Sequence, residues 1–232
     1  MTKICLIAEQ ILYEELVKDD ANYLVTSGYG LKISNETRNY FSFLLERTFE
    51  WKFGINTHKH DDLTKSGMLK VLKETAEQDF SSYTGFVCVI QGYGSKDGIY
   101  GTDDEVISLD AITSLFSQNK CPSLKGKPKI FLIEAVHKGD KASGSDPSSS
   151  PTVSEADFLM NYFISEEGFP LFGLMSAVNH AFEVYSAKED LVNMMMRVNK
   201  LTDKFYRQKQ ITTLVSTLTQ KVFFKPRLPG IL

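Results

Sequence analysis

Three short, predominantly apolar segments dominate the hydrophobic pattern of the chain. They are GFVCVIQ (85–91), KPKIFLIEA (127–135) and ADFLMNYFIS (156–165). Runs of this length without regular polar alternation are typical of strands buried on both faces of a parallel sheet. A fourth segment, ITTLVSTLTQKVFF (211–224), is β-branched and alternating, so it predicts a further strand.

Weaker patterns predict the remaining strands and the structure of the first residues. GLKIS (30–34) is strand-like, WKFGIN (51–56) can carry a short strand, and GIYGTDDEVIS (98–108) predicts a hairpin with an Asp-Asp turn. The stretch MTKICLIAEQILYEELVKDD (1–20) has an apolar patch followed by acidic residues, and we expect a short N-terminal helix there.

Apolar residues at helical spacing separate these strands. Thr64 is placed to cap a helix over 64–78, and Ser108 is placed to cap another that runs through Phe116. Further helices are predicted at 36–52, 170–187 and 189–208.

The alternation of strands and helices predicts an α/β fold. We expect a three-layer sandwich in which a mostly parallel central sheet is flanked by helices. In such sheets, working residues lie on loops at the carboxyl ends of the strands. The two loops of interest are QGYGSKDG (91–98) and AVHKGDK (135–141).

Composition and charge exclude some classes of protein but do not indicate a particular function. The 232 residues carry a net charge of −3, which gives no electrostatic reason to expect nucleic acid or an anionic membrane as partner. Three cysteines do not make a disulfide framework and favour a reducing compartment. No segment resembles a signal peptide or a membrane span, so the expected location is the cytoplasm.

One low-complexity segment, KGDKASGSDPSSSPTVSE (138–155), interrupts the pattern. It consists of serine, glycine, proline and charged residues with almost nothing to bury, which predicts a flexible linker. Pro147 directly after Asp146 disfavours cleavage at that aspartate, so we expect the chain to stay intact unless a partner cuts it.

The block from 85 to 139 carries a family resemblance. It reads GFVCVIQGYGSKDGIYGTDDEVISLDAITSLFSQNKCPSLKGKPKIFLIEAVHKG, and it is similar to the large-subunit core of a caspase. Downstream, EADFLMNYF resembles the first small-subunit strand and TLVSTLTQKVFF the last one, so the resemblance covers about residues 23 to 225.

The resemblance implies a division of one caspase-like domain into parts. These are a short N-terminal segment (1–22), a large-subunit-like part (23–137), an inter-subunit linker (138–155) and a small-subunit-like part (156–232).

The same resemblance locates the family's active-site positions, and most hold other residues here. The catalytic His falls on Tyr93, the catalytic Cys on Val136 and the pocket Gln on Glu134, whereas the oxyanion-hole Gly is kept as Gly94. Tyr93 and Val136 are 43 residues apart, close to the family spacing of roughly 50. The two arginines with which the family binds a substrate aspartate have no counterpart.

These residues predict a protein that does not catalyse hydrolysis. A valine side chain has no lone pair with which to attack, and a phenol, with an ordinary pKa of about 10, is a poor general base. Glu134, Glu166 and Glu167 would repel an aspartate that the missing arginines should bind. We therefore expect a pseudo-caspase without a cofactor or a metal ion.

Other residues offer alternatives to this prediction. Cys88 or Cys121 could act as a substitute nucleophile, although a buried structural role suits both better. His137 lies one residue from the family position and should point to the other side of its strand. HKHDD (58–62) has a metal-like composition but is typical of a solvent-exposed loop.

The last strand is the predicted partner interface. In caspases it pairs antiparallel with its copy in a second protomer across a two-fold axis. The interface residues predicted here are Thr212, Thr213, Leu214, Val215, Ser216, Thr217, Leu218, Thr219 and Gln220.

The leading hypothesis is a regulatory pseudoenzyme that forms a heterodimer with an active paralogous caspase and enhances or blocks its activity. A homodimer is the other pairing. The alternatives are a decoy that binds caspase inhibitor proteins, a peptidase with residual activity, and an adaptor for an unrelated partner.

Overall fold

A computed structural model describes residues 3–8, 44–137, 153, 155–166, 174–206 and 210–226. Its described strands form one sheet, and we number them in chain order. They are β1 Lys3–Ala8, β2 Asn56–Asp61, β3 Phe86–Ser95, β4 Gly98–Tyr100, β5 Val106–Ile107, β6 Lys129–His137, β7 Phe158–Glu166 and β8 Gln210–Ser216.

The sheet is mixed, and most of its long strands run in the same direction. The order is β2-β1-β3-β6-β7-β8, with β4 paired to β3 and β5 paired to β4. β3, β6 and β7 are parallel neighbours, whereas β1 runs antiparallel to β2 and β3, and β8 runs antiparallel to β7. The predicted α/β fold with a mostly parallel sheet is confirmed.

Helices cover both faces of this sheet. They are α1 Lys65–Ala76, α2 Leu109–Ser114, α3 Leu174–Tyr185 and α4 Leu191–Tyr206, together with a π-helical segment at Thr48–Phe53 and a 3₁₀ turn at Pro122–Leu124. Both predicted caps are present: Thr64 Oγ1 accepts from Gly67 N and Ser108 Oγ accepts from Ala111 N, each at 3.1 Å.

Two hydrophobic cores result, one on each face of the sheet. The first joins Val89, Leu132 and Phe163 to α3, α4 and the π-helical segment. The second joins Cys88 and Tyr162, among others, to α1 and α2. The alternation of side chains along each strand produces this division, because successive residues point to opposite faces.

The predicted N-terminal helix is wrong within residues 3–8, which form strand β1. Ile4, Cys5, Leu6 and Ile7 make a short run without helical spacing. The strand lies between β2 and β3 and pairs with both along its whole length, so its backbone groups have partners on either side.

The predicted strand at 51–56 is also misplaced. Trp51 to Phe53 complete the π-helical segment, Gly54 ends it in a left-handed conformation with φ of 73°, and the strand begins only at Asn56. A glycine adopts this conformation without steric cost, which explains the sharp change from helix to strand. The predicted strand at 30–34 and the first part of the helix at 36–52 lie outside the described residues.

Candidate active site and docking strand

The carboxyl ends of β3 and β6 bring the first two predicted site residues together. The strands pair in parallel from Phe86–Lys129 through Gly94–His137, and within this register Tyr93 lies directly beside Val136. The register also pairs Gln91 with Glu134. The sheet continues through Ser95 and His137, so the first residues of the predicted loops at 91–98 and 135–141 lie in strands.

Val136 and Tyr93 share the face of the sheet that α3 and α4 cover, since they continue the alternation of Leu132 and Val89. The Val136 side chain is only 3% exposed, and Tyr93 is half-buried. The position that the resemblance gives to a nucleophile thus holds a buried hydrocarbon, and the neighbouring position holds a phenol. Neither side chain is suited to nucleophilic attack with an imidazole base.

Glu134 is a fully buried carboxylate that accepts hydrogen bonds from within the protein. Gln91 Nε2 donates to its Oε2 at 2.7 Å, and the backbone N–H of Leu174 donates to its Oε1 at 3.2 Å. Leu174 is the first described residue of α3, so this bond ties the end of β6 to that helix.

Both oxygens of Glu134 therefore bind groups of the protein. The expected repulsion of an incoming aspartate stays a prediction. The contact with Leu174 links the large-subunit-like part to the small-subunit-like part. The side chain of Glu166 and the whole of Glu167 lie outside the described residues.

Two buried hydroxyl groups near this site were missed by the sequence reasoning. Ser165 pairs in register with Val136, and Thr212 pairs with Phe163 on the same face. Neither Ser165 Oγ nor Thr212 Oγ1 has a hydrogen-bond partner in the described part of the chain. Only the register of three strands brings them beside the site, and no local sequence pattern could have shown it. Gln91 was also missed, although the parallel register of the two apolar runs could have indicated its pairing with Glu134.

Gly94 lies where the structure has no room for a side chain. A Cβ atom there would lie 2.7 Å from the backbone oxygen of Gly98 and 2.9 Å from Cβ of Ala135. Packing alone therefore requires glycine, and its predicted oxyanion-hole role stays a prediction.

Tyr162 holds the end of β3, two residues after Tyr93, in place. It projects from β7 to the opposite face of the sheet, and its hydroxyl donates to the backbone oxygen of Ser95, the last residue of β3. Burial raises the pKa of this phenol well above its ordinary value, and Tyr100 and Asp97 add to the shift.

The alternative chemical groups lie away from the Tyr93–Val136 pair. Cys88 and Cys121 are both fully buried in the second core, on the other side of the sheet. His137 follows Val136 and therefore points to the opposite face, as predicted.

The HKHDD segment forms most of edge strand β2 instead of a loop. Among the described residues, no three His, Cys, Asp or Glu side chains are grouped closely enough to hold a metal ion.

The predicted docking strand is shorter than expected. β8 ends at Ser216, so Thr212 to Ser216 lie in the strand and Thr217 to Gln220 lie beyond it. β8 is the last strand in the sheet order, and no described strand pairs with its outer edge.

Comparison with known proteins first defines the class of fold. The structure is similar to a solved one described as "structure of pro-sf-caspase-1", with a TM-score of 0.59 and 24% sequence identity over 70% of this chain and 75% of that chain. The fold is therefore caspase-like.

Sequence comparison then identifies the family. The Caspase domain model matches residues 43–223. The chain is 30% identical over 188 residues to Caspase-3 of Mesocricetus auratus, and the matched region covers 71% of this chain and 68% of that protein. It is 28% identical over 214 residues to Caspase-6 of Gallus gallus, covering 75% and 69% respectively. The chain belongs to the caspase family.

None of the helices in the described residues is long and apolar enough to cross a membrane.

Proposed function

We propose that this chain is a catalytically inactive caspase homologue that regulates an active caspase by docking through β8. The observation that carries the proposal is the Tyr93–Val136 pair, which occupies adjacent positions on parallel strands. The resemblance assigns these two positions to the family's base and nucleophile. Cysteine hydrolysis needs a thiolate to attack and an imidazole to accept and return the proton. This pair supplies neither group.

The state of Glu134 supports the same proposal. A family pocket that binds a substrate carboxylate should offer unoccupied donors, yet here Gln91 Nε2 and Leu174 N already donate to an internal carboxylate. A second carboxylate brought to this place would find both of these donors already used by Glu134.

The position of β8 supports a docking role. Family members typically dimerise, and an edge strand presents unpaired N–H and C=O groups to another strand. Thr212 to Val215 are half-buried and Ser216 is exposed, so the strand combines apolar and polar contacts.

A titration tests the regulatory role. An active caspase of the same organism cleaves a fluorogenic peptide that ends in Asp, and the present chain is added in increasing amounts. The same titration is run with Val215→Glu and Ser216→Glu, which place a charge on the docking strand. The matched control is Met196→Glu, which makes the same change on the exposed side of α4, where Met196 is 59% exposed.

A rise in rate that both β8 variants lose and Met196→Glu keeps would establish an activating heterodimer. A fall with the same pattern would establish an inhibitory one. The sign depends on whether docking favours the ordered or the disordered state of the partner's loops. No change at stoichiometric excess would overturn the heterodimer.

A further inference from the structure

The end of the linker and the end of β8 are held together by a compact group of hydrogen bonds. Its members are Glu155, Asp157, Thr217 and Thr219, and we call this group the clasp. It lies where β7 begins, at the opposite end of that strand from Ser165 and the candidate site.

Thr217 is bound through both its backbone and its side chain. Its N–H donates to Phe158 O at 2.8 Å, and its O accepts from Asp157 N at 2.9 Å. Its hydroxyl donates to Glu155 O at 2.5 Å and accepts from Phe158 N at 3.1 Å. These bonds continue the pairing of β7 and β8 beyond the last strand residue.

Asp157 completes the clasp from the other side. Its backbone has a φ of 67°, a left-handed conformation that aspartate tolerates better than most residues, and the residue is buried. Its Oδ1 accepts from Thr219 N at 3.3 Å and from the Thr219 hydroxyl. Its backbone oxygen accepts from Lys129 N at 2.8 Å.

Contacts with the large-subunit-like part fix the clasp in place. Glu155 Oε2 accepts from Gln118 N at 2.9 Å. The ammonium group of Lys129 is buried, donates to Lys127 O at 2.9 Å and lies 4.7 Å from the centre of the Phe158 ring. Burial lowers the pKa of Lys129, whereas Asp157 and Glu155 raise it, so both carboxylates attract this cation.

The clasp also decides where the docking strand ends. After Thr219 the chain turns toward the first core, where Val222 and Phe224 are buried and Val222 O accepts from Leu191 N at 2.7 Å. The side chains of Thr217 and Thr219 therefore bind within the chain and are not offered to a partner.

We propose that the clasp isolates the docking strand from the linker, so that cutting the linker leaves β8 and its docking unchanged. The linker leads directly into Glu155 and Asp157, and the clasp holds both residues to β6, to residue 118 and to the end of β8. We therefore expect that a conformational change in the residues before Glu155 does not extend past the clasp into β8. The consequence for docking rests on the proposed function, whereas the behaviour of β8 can be measured in the chain alone.

The test is hydrogen exchange of the full chain with a specific protease site in place of residues 143–149. Exchange in 210–220 is followed by mass spectrometry before and after cleavage. The wild type is compared with the isosteric variant Thr217→Val/Thr219→Val, which keeps the shape and removes both hydroxyls. Thr219→Ser keeps a hydroxyl and is the conservative control.

We expect cleavage to change exchange of the wild-type β8 amides by less than about twofold. After cleavage, exchange at 214–216 should be about tenfold faster in the double valine variant than in the wild type, and Thr219→Ser should match the wild type. Cleavage that exposes wild-type β8 as much as the variant would overturn the proposal, as would a variant that stays fully protected. If the valine variant does not fold, Thr219→Val alone is compared with Thr219→Ser in the same way.

The docking titration with the cut chain separates the two proposals. Unchanged exchange together with the same effect on the partner caspase supports both. β8 could stay protected while the Val215→Glu and Ser216→Glu chains change the partner caspase's rate as much as the wild-type chain does. That result would overturn the heterodimer and leave the proposal about the clasp in place.

Discussion

At the scale of single residues, the candidate site combines an apolar side chain with a carboxylate that is bound within the protein. Val136 is a hydrocarbon in a buried position, and the buried carboxylate of Glu134, two residues before it, is hydrogen-bonded on both oxygens. Ser165 adds a buried hydroxyl without a partner among the described residues. These side chains favour a closed, packed site over one that binds and releases a substrate.

Glu134 should contribute to stability through its two donors. Replacing it by alanine leaves Gln91 Nε2 and Leu174 N without their acceptor, and a buried unpaired donor costs about 1–3 kcal/mol. We expect Glu134→Ala to lower the free energy of unfolding by about 2–4 kcal/mol, measured by urea denaturation.

Glu134→Gln is the matched variant, because an amide keeps an acceptor for Leu174 N and Gln91 can turn its own amide. It should cost less than about 1.5 kcal/mol. Glu74→Ala, which removes an exposed carboxylate on α1, controls for the loss of charge. A Glu134→Ala protein as stable as the wild type would show that the two hydrogen bonds do not support the junction of the two parts.

At the scale of elements, the end of β3 depends on a side chain from β7. The Tyr162 hydroxyl donates to the backbone oxygen of Ser95, the last residue of β3. This bond ties β7 to the end of β3, where β4 pairs with β3 and β5 pairs with β4. Tyr162→Phe keeps the ring in the second core and removes this bond, so we expect a loss of about 1 kcal/mol at neutral pH.

The same variant has an expected pH dependence. Burial raises the pKa of folded Tyr162, while the unfolded phenol titrates at about 10. The stabilising contribution is therefore fully present below about pH 10 and is lost as the pH rises above it, because only the unfolded state releases the proton there. The stability difference between wild type and Tyr162→Phe should shrink above pH 10 in urea denaturation series. A difference that stays constant to pH 11.5 or widens would contradict the assignment.

At the scale of the whole molecule, the residues on which the proposed inactivity rests come from several elements. β3 supplies Tyr93, β6 supplies Glu134 and Val136, and the start of α3 supplies a donor that Glu134 already uses. The resemblance predicts that the family's two arginines have no counterpart in this chain. On the proposed function, restoring two residues should therefore not be enough to restore catalysis.

We therefore expect Tyr93→His/Val136→Cys to leave cleavage of an Asp-terminated fluorogenic peptide at the level of the buffer blank. The reason is that the pocket still contains a buried carboxylate and lacks its arginine fork. An active caspase assayed in parallel is the positive control, and the folding of the variant is checked by its thermal transition. Turnover in the double variant above that of the wild-type chain would show that the pocket still accepts a substrate aspartate.

The sequence alone was sufficient for the fold class, whereas the positions that the resemblance gives to the family's reactive residues stay a prediction. The apolar runs around Val89, Leu132 and Phe163 predicted the three central parallel strands, because burial on both faces leaves a continuous apolar pattern. The capping residues Thr64 and Ser108 predicted two helix starts, because a cap is a local interaction between neighbouring residues.

Only the tertiary structure decided which groups meet and where elements end. β1 is a strand because β2 and β3 bond it from both sides, and Lys3–Ala8 as a segment does not reveal those partners. Glu134 is bound by residues 43 positions before it and 40 positions after it, and Thr219 is bound by Asp157, 62 positions away. The local sequence pattern indicates the propensity and the burial of a segment. Strand register and long-range hydrogen bonds depend on how the whole chain packs.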